Sequence, residues 1–148
     1  GSEPALSYLK QVAARADQYR GFNLVLGDAD GFYYFTNQSS KIIRLEPGYY
    51  GLSNQQLNCN WPKVIEGQEK LEHAVHQPAL ADALSIVLSD EGDHRAFSNS
   101  FIASAEYGTR AGTVVIWKKD GSLSFEEQSY AKNGVAQGLQ KHSFTVKN

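Results

Sequence analysis

The chain has 148 residues, of which 41% are hydrophobic and 20% charged, and its formal net charge is −2. This length and composition suit one globular domain with a hydrophobic core of its own. The sequence has no basic cluster for phosphate binding and no apolar run near the roughly 18 residues of a membrane span, which argues against nucleic acid as the main partner and against an integral membrane segment. The single cysteine, Cys59, cannot form a disulfide within the chain, so we expect a reducing, cytoplasmic location.

The first two residues, Gly1 and Ser2, are typical of the scar left when an affinity tag is removed, and the chain contains no methionine. They are therefore set apart from the fold, and residues 3–148 are interpreted as a single domain. We expect the natural protein to begin elsewhere, with a segment upstream of this one.

The first half of the chain predicts one helix followed by antiparallel strands. Apolar residues recur every three or four positions over residues 4–20, which indicates an amphipathic helix capped by Gly21. Aromatic and branched residues on either side of Asp28–Gly31 predict a β-hairpin. Further strands are expected at 41–45 and, after the Pro47-Gly48 turn, at 49–53.

The second half predicts two helices and then more strands. Helices are expected over residues 61–76 and from Pro78 onward, followed by a polar loop at 89–100. Strands are expected, in chain order, at 101–104, 113–118, 123–130 and 143–147, with a two-residue turn at Asp120-Gly121. The order of elements predicts an α+β fold with mainly antiparallel sheets and about three helices.

The cysteine and the histidines of this sequence do not indicate a nucleophile or a metal site. No pattern supplies a base for Cys59, so an incidental loop thiol is favoured over a nucleophile. His73 and His76 share a helix face, but a metal site needs further ligands, and a solvated polar face explains them better. We therefore expect no metal and no cofactor.

Two short polar segments are stronger candidates for a site. Ser53 and Asn54 stand where a predicted strand passes into a loop. An asparagine amide there can donate to a developing oxyanion, although a simple turn is the favoured interpretation. Arg110 precedes the strongest predicted strand, and its planar guanidinium suits a carboxylate or phosphate. A surface arginine explains Arg110 equally well, and the residues alone do not decide between the two.

Four segments in this order resemble the C-terminal portion of the Asn-Arg-Asp-Glu (NRDE) family, also called the transport and Golgi organisation protein 2 family. They are Gly21-Phe22-Asn23-Leu24, Gly48-Tyr49-Tyr50-Gly51-Leu52-Ser53-Asn54, Trp61-Pro62-Lys63-Val64 and Tyr107-Gly108-Thr109-Arg110. The resemblance implies part of an N-terminal-nucleophile hydrolase-like fold, in which two antiparallel sheets stack between helical layers. Family members begin Met-Cys, with the Asn-Arg-Asp-Glu motif soon after, and this chain has neither element.

The same resemblance implies roles for particular residues. By distant analogy with amide hydrolases of this type, Asn54 would help to hold the oxyanion and Arg110 would orient the substrate or the nucleophile. Ser53, Tyr107 and Thr109 belong to the same matching segments and are expected to contact the ligand. Asn37 is a further ligand-binding candidate, although Gln38 follows it where relatives often have arginine.

These features leave three functions open, and the least specific of them is an interaction module whose exposed sheet pairs with a missing N-terminal portion. The favoured one is a parent amidohydrolase or acyltransferase of the N-terminal-nucleophile type, of which this chain would be an inactive portion because its nucleophile is absent. The alternative is a non-catalytic binding or trafficking protein, with haem or a lipid-related molecule as its ligand. The expected partners are a small molecule, the missing N-terminal portion and, through exposed sheet surface, a second copy in a homodimer.

Overall fold

The computed structural model describes residues 3–146, so Gly1 and Ser2, which were interpreted as a tag scar, and the last two residues lie outside the described part. The chain forms two units, Gly1–Cys59 and Asn60–Asn148, called here the first and the second unit. The first unit contains α1 (Ala5–Ala13), a 3₁₀ turn (Ala16–Gln18), β1 (Asn23–Asp28), β2 (Gly31–Thr36) and β3 (Lys41–Leu45). The second contains α2 (Pro62–Ala74), α3 (Leu80–Leu88), β4 (Ala111–Trp117), β5 (Ser122–Tyr130), a 3₁₀ turn (Lys132–Gly134) and β6 (Ala136–Thr145).

The sheet of the first unit is an antiparallel meander in the order β1-β2-β3. Phe35 in the central strand lies opposite Leu24 of β1 and Ile42 of β3. These side chains share the face on which α1 packs, and Leu9 and Phe35 at its centre are fully buried. The predicted hairpin and third strand are therefore confirmed.

Helix α1 begins where a carboxylate from the sheet meets it. The N-cap residue Pro4 offers no capping side chain, and the backbone N–H of Ala5 donates instead to Asp28 Oδ2 at 2.6 Å. This bond, ahead of one from the Asp30 N–H, lowers the pKa of the Asp28 carboxyl below its ordinary value of 3.8. A negative charge at a helix N-terminus is favourable, so the end of β1 fixes the start of α1.

The sheet of the second unit is also an antiparallel meander, in the order β4-β5-β6. Val114, which is buried, lies opposite Glu126 of β5, and Glu126 lies opposite Lys141 of β6. Helix α3 packs against β4, and α2 packs against α3. Pro62 stands in the first turn of α2, where its missing N–H costs no hydrogen bond.

Two predicted strands are not strands in the structure. Residues 49–53 form a loop that carries a single β-bridge between Leu52 and Leu57, because Asn58 closes the loop by bonding both N–H and C=O of Gly51. Residues 101–104 do not join the sheet either. There Ile102 and Thr109 bond to each other across a local turn, which uses the polar groups that a strand would have offered.

Three predicted boundaries also differ. Helix α1 ends at Ala13 rather than near Arg20, so Gly21 is not its cap. The turn between β4 and β5 has three residues rather than two, since Lys118 pairs with Ser122 and Gly121 adopts φ +82°. Strand β6 begins at Ala136, seven positions before the predicted edge strand, whose last residue lies outside the described part.

The fold class is confirmed: the structure is α+β, with three α-helices and two antiparallel three-stranded sheets within residues 3–146. Whether residues 3–148 form a single domain stays a prediction. Over the same residues, no helix combines the length and the apolar character that crossing a bilayer requires.

Candidate functional sites

The loop that carries Ser53 and Asn54 is tied to the first sheet. Asn23 of β1 donates its side-chain amide to the carbonyl oxygens of Ser53, at 3.3 Å, and of Asn54, at 3.4 Å. The orientation of Asn23 is fixed in turn, because its Oδ1 accepts the hydroxyl of the buried Tyr34 at 2.7 Å. The same hydroxyl accepts the N–H of Leu57 at 3.3 Å. The loop backbone is therefore anchored at both of its sides.

Ser53 and Asn54 have different roles in this loop. The Ser53 hydroxyl is committed locally: it accepts the N–H of Gln55 at 3.1 Å and lies 3.4 Å from the Gln56 carbonyl. The Asn54 side chain is exposed and makes no hydrogen bond to any other residue within 3–146. Its carboxamide is thus a free donor on a fixed backbone, which is the arrangement that an anion-binding group needs.

Cys59 is buried behind the same loop. Its Sγ lies 3.1 Å from the Ser53 hydroxyl, and its side chain is 4% exposed. A hydroxyl at neutral pH cannot take the thiol proton, so this contact does not create a nucleophile. The geometry is that of a packed structural thiol.

Tyr107, Thr109 and Arg110 line a small pocket of about 240 Å³ in the second unit. The turn that shapes it is held by Ser104, whose Oγ bonds both N–H and C=O of Tyr107. Thr109 is fixed by its two bonds to Ile102. The Arg110 guanidinium is exposed and pairs with no other described residue, and Lys132 lines the same pocket. The pocket therefore carries two cationic side chains, with the carboxylate of Glu106 in the same lining.

Asn37 has a structural role. Its Oδ1 accepts the N–H of Phe22 at 2.9 Å, while its Nδ2 donates to the carbonyl oxygens of Ala16, Tyr19 and Arg20 at 3.0–3.3 Å. These bonds occupy both amide hydrogens and hold the connection between α1 and β1. A ligand contact at Asn37 stays a prediction, and it would have to displace part of this network.

The histidines do not gather around a common point. His73, His76, His94 and His142 are all exposed, and no group of three or more potential metal ligands occurs within residues 3–146. The predicted site residues thus form two sets. Ser53 and Asn54 share one loop of the first unit, whereas Tyr107, Thr109 and Arg110 share one pocket of the second.

A larger feature was missed by the sequence interpretation. An open groove of about 880 Å³ lies between α1 and β1 in the first unit. Its apolar floor comes from Phe22, Leu24 and Leu26, which the sequence interpretation assigned only to a strand. The signal that could have found it is the pair of arginines, Arg15 and Arg20, which stands just where the amphipathic pattern ends.

Comparison with known proteins gives a consistent family. The family model described as "Transport and Golgi organisation 2" matches residues 2–132. The Bos taurus protein named "Transport and Golgi organization protein 2 homolog" is 32% identical over 155 aligned positions, and the Mus musculus "Transport and Golgi organization 2 homolog" is 30% identical. The Homo sapiens homologue is 28% identical. Each alignment covers 84% of this chain and 56% of the relative, so the chain spans just over half the length of these proteins.

The α+β chain therefore belongs to the Transport and Golgi organisation 2 family. The resemblance stated from the four sequence segments is confirmed at the level of the family.

Proposed function

We propose that this chain supplies the substrate-orienting part of an amidohydrolase or acyltransferase that uses an N-terminal cysteine nucleophile. The observation that carries the proposal is the Asn54 carboxamide, which is free, exposed and set on an anchored loop. The nucleophile would be the N-terminal cysteine that the family resemblance implies, so the 148 residues alone would be inactive. Antiparallel sheets with attached helices are the elements of which the expected layered fold is built.

In this proposal Asn54 acts as an oxyanion donor. When an acyl carbon becomes tetrahedral, its oxygen gains negative charge, and a donor that is already in place stabilises that charge without rearranging. Loss of one such donor typically slows turnover about 100-fold to 1,000-fold. The anchoring of residues 53–54 by Asn23 supports this role, because it limits the reorganisation that the loop would otherwise undergo.

The role proposed for Arg110, which lies in the second unit, is to bind an anionic group of a substrate. Its guanidinium is permanently charged and can hold a carboxylate or phosphate through two parallel hydrogen bonds. The neighbouring Lys132 adds a second positive charge in the pocket and Glu106 a negative one, so the net charge of the lining stays positive. In the proposed mechanism these two cations orient the substrate and take no part in proton transfer.

The test uses the protein with its natural N-terminus and a panel of acyl amides and acyl thioesters. Mass spectrometry should find the acyl group on the N-terminal peptide, and Asn54→Ala should slow turnover about 100-fold. Gln55→Ala, at an exposed neighbouring position with no side-chain bond within residues 3–146, is the matched control and should keep the normal rate. An acylated protein with a normal rate in Asn54→Ala would remove Asn54 from the mechanism, and a folded protein with neither adduct nor product would remove the reaction.

A second candidate is non-catalytic binding or trafficking of haem or a lipid-related ligand. Its haem form would use an exposed histidine as the axial ligand, and all four histidine side chains of the described residues, His73, His76, His94 and His142, are exposed.

The test of this candidate is a haem titration of the 148-residue chain, followed by absorption spectroscopy. Saturable binding with a shifted Soret band supports the haem-binding form. His94→Ala and His142→Ala then identify which of these exposed side chains acts as ligand. A spectrum that shows only free haem at every ratio excludes haem for this chain.

A further inference from the structure

The groove between α1 and β1 has the size of a ligand site. Its volume of about 880 Å³ lies in the range of roughly 300–1,000 Å³ that small-molecule sites occupy. Phe22, Leu24 and Leu26 form the floor, and Val12 of α1 adds to one wall. These side chains are half-buried, so they present apolar surface to whatever enters the groove.

The groove is polarised from one end to the other. Arg15 follows the end of α1 and Arg20 precedes β1, so both arginines stand at the end where the chain passes from helix to strand. Tyr8 lies seven residues before Arg15, about 10 Å along a helix axis, and marks the opposite end. Gln11 also lines the groove, and its side-chain amide donates to Glu3 Oε1. A ligand in the groove would therefore meet two cations at one end and a neutral phenol at the other.

The two arginines at this end of the groove are not held in ion pairs, and the carboxylate that lies between them in the chain, Asp17, is outside the groove lining. Neither Arg15 nor Arg20 forms an ion pair with another residue in the described range 3–146, and no Asp or Glu lines the groove. Guanidinium groups bind carboxylates and phosphates through paired hydrogen bonds. Charge complementarity thus selects an anionic head group.

The arginine end is also held in place. Asn37 fixes the carbonyl oxygens of Ala16, Tyr19 and Arg20, and the ring of Tyr19 meets that of Phe22 edge to face at 6.3 Å. The backbone next to both arginines is therefore ordered before any ligand arrives. Such ordering lowers the entropy that a ligand must overcome on binding.

We propose that this groove binds an amphipathic anion, with its apolar part on Phe22, Leu24 and Leu26 and its carboxylate or phosphate between Arg15 and Arg20. Binding makes and breaks no covalent bond. The proposal deepens the second candidate function by naming the chemical class of its lipid-related ligand. It does not rest on the proposed hydrolase function, since none of its residues belongs to the Asn54 loop or the Arg110 pocket. The two can fail separately.

The experiment is calorimetric titration of the 148-residue chain with single-chain probes below their micelle concentrations. Dodecanoate and dodecyl phosphate separate the two anionic head groups, while dodecyltrimethylammonium reverses the charge and inorganic phosphate lacks the tail. We expect saturable binding of at least one of the two anionic amphiphiles, and affinity at least about tenfold weaker for the cation and for inorganic phosphate. Equal affinity for the cationic and anionic amphiphiles would overturn the proposal, as would no saturable binding by either anion.

Variants locate the site. The double variant Arg15→Gln/Arg20→Gln should weaken binding of the anionic amphiphile about threefold to tenfold, the range expected for partly exposed ion pairs. Lys10→Gln removes one charge from α1 at an exposed position outside the groove lining, and it should leave the affinity within about twofold. Unchanged affinity in the double variant, with its unfolding midpoint preserved, would place the binding elsewhere. An equal loss in Lys10→Gln would reduce the effect to general electrostatics.

Discussion

A single asparagine organises the first unit at the scale of one residue. Asn37 joins the connection after α1 to the beginning of β1 through four hydrogen bonds. We expect Asn37→Ala to lower the free energy of unfolding by about 2–4 kcal/mol, because several backbone groups lose their partner at once. Chemical denaturation followed by circular dichroism measures the change.

The matched control for Asn37 is the nearby serine. Ser39 is exposed, and its side chain makes no hydrogen bond with another residue of the described part. The free energy of unfolding of Ser39→Ala should therefore lie within about 0.5 kcal/mol of that of the unsubstituted chain. Equal stability of the two variants would mean that water replaces the Asn37 network without cost. The same Asn37 variant should also weaken amphiphile binding, since it frees the backbone on which Arg20 stands.

The Lys70–Asp90 ion pair predicts how the stability of the second unit changes at low pH. Lys70 Nζ lies 2.6 Å from Asp90 Oδ2 and holds the pKa of that carboxyl below its ordinary value of 3.8. A lowered pKa in the folded state contributes stability above the unfolded pKa, and this stability is lost as the pH falls through the folded value. Asp90 therefore contributes stability at neutral pH and loses that contribution progressively below about pH 4.

The measurement compares unfolding midpoints at neutral pH and at about pH 3. Asp90→Asn should be less stable than the unsubstituted chain at neutral pH, and this difference in stability should shrink in acid. The control is Glu91→Gln, which changes an exposed neighbouring carboxyl with no side-chain bond within residues 3–146. Its unfolding midpoint should change between the two pH values by the same amount as that of the unsubstituted chain. If Asp90→Asn stays equally less stable in acid, the loss of stability comes from packing rather than from the charge of Asp90.

Among the elements, those with strong local patterns were predictable. The hairpin of β1 and β2 followed from two aromatic and branched runs around a short turn, and α2 followed from its apolar spacing. The run 49–53 looks equally suited to a strand, yet it forms a loop because Asn58, several residues later, takes both polar groups of Gly51. Such a contact depends on the conformation of the whole loop, and no local pattern encodes it.

Two glycines allow a paired test at the same scale. Gly121 adopts φ +82° in the β4–β5 turn, and a Cβ there would lie 2.9 Å from the carbonyl oxygen of Val146. Gly67 stands inside α2, where a Cβ would meet no atom within 4 Å. We expect Gly121→Ala to cost about 1–3 kcal/mol and Gly67→Ala to stabilise by about 0.5–1 kcal/mol.

Tryptophan fluorescence in denaturant suits both variants, because Trp61 and Trp117 lie in the same unit as the two glycines. The two changes add the same methyl group, so opposite signs isolate the effect of backbone conformation. A stabilised Gly121→Ala variant would show that the turn can relax to a negative φ and that the three-residue loop is not required.

For the whole molecule, family membership could be read from ordered sequence segments, whereas the groove could not. The segments ending at Asn54 and Arg110 are continuous in sequence, so a comparison of letters finds them. The groove joins Tyr8, Arg15 and Leu26 only after α1 folds onto β1, and its charge pattern exists only in three dimensions. The roles of Asn54 and Arg110 stay predictions that the proposed experiments address.

The last prediction concerns self-association through the second sheet. One face of β4-β5-β6 carries two neighbouring rows, which consist of Val115, Phe125 and His142 and of Trp117, Leu123 and Phe144. Val115 and Phe144 are more than half exposed, so the face offers a contiguous apolar patch to solvent. Patches of this kind mark interaction surfaces, and we predict that the 148-residue chain forms a two-fold dimer through it.

Sedimentation velocity from micromolar to millimolar concentration should show a rising average mass for this chain. Val115→Lys places a charge in the middle of the patch and should keep the chain monomeric. Burying an unpaired ammonium costs more free energy than burial of the apolar patch contributes. Ser143→Lys adds the same charge at an exposed position on the opposite face of β6, since successive side chains of a strand alternate, and it should dimerise normally. If the unsubstituted 148-residue chain is monomeric at every concentration, the predicted dimer is wrong. If both lysine variants lose the association, net charge rather than this face of the sheet controls it.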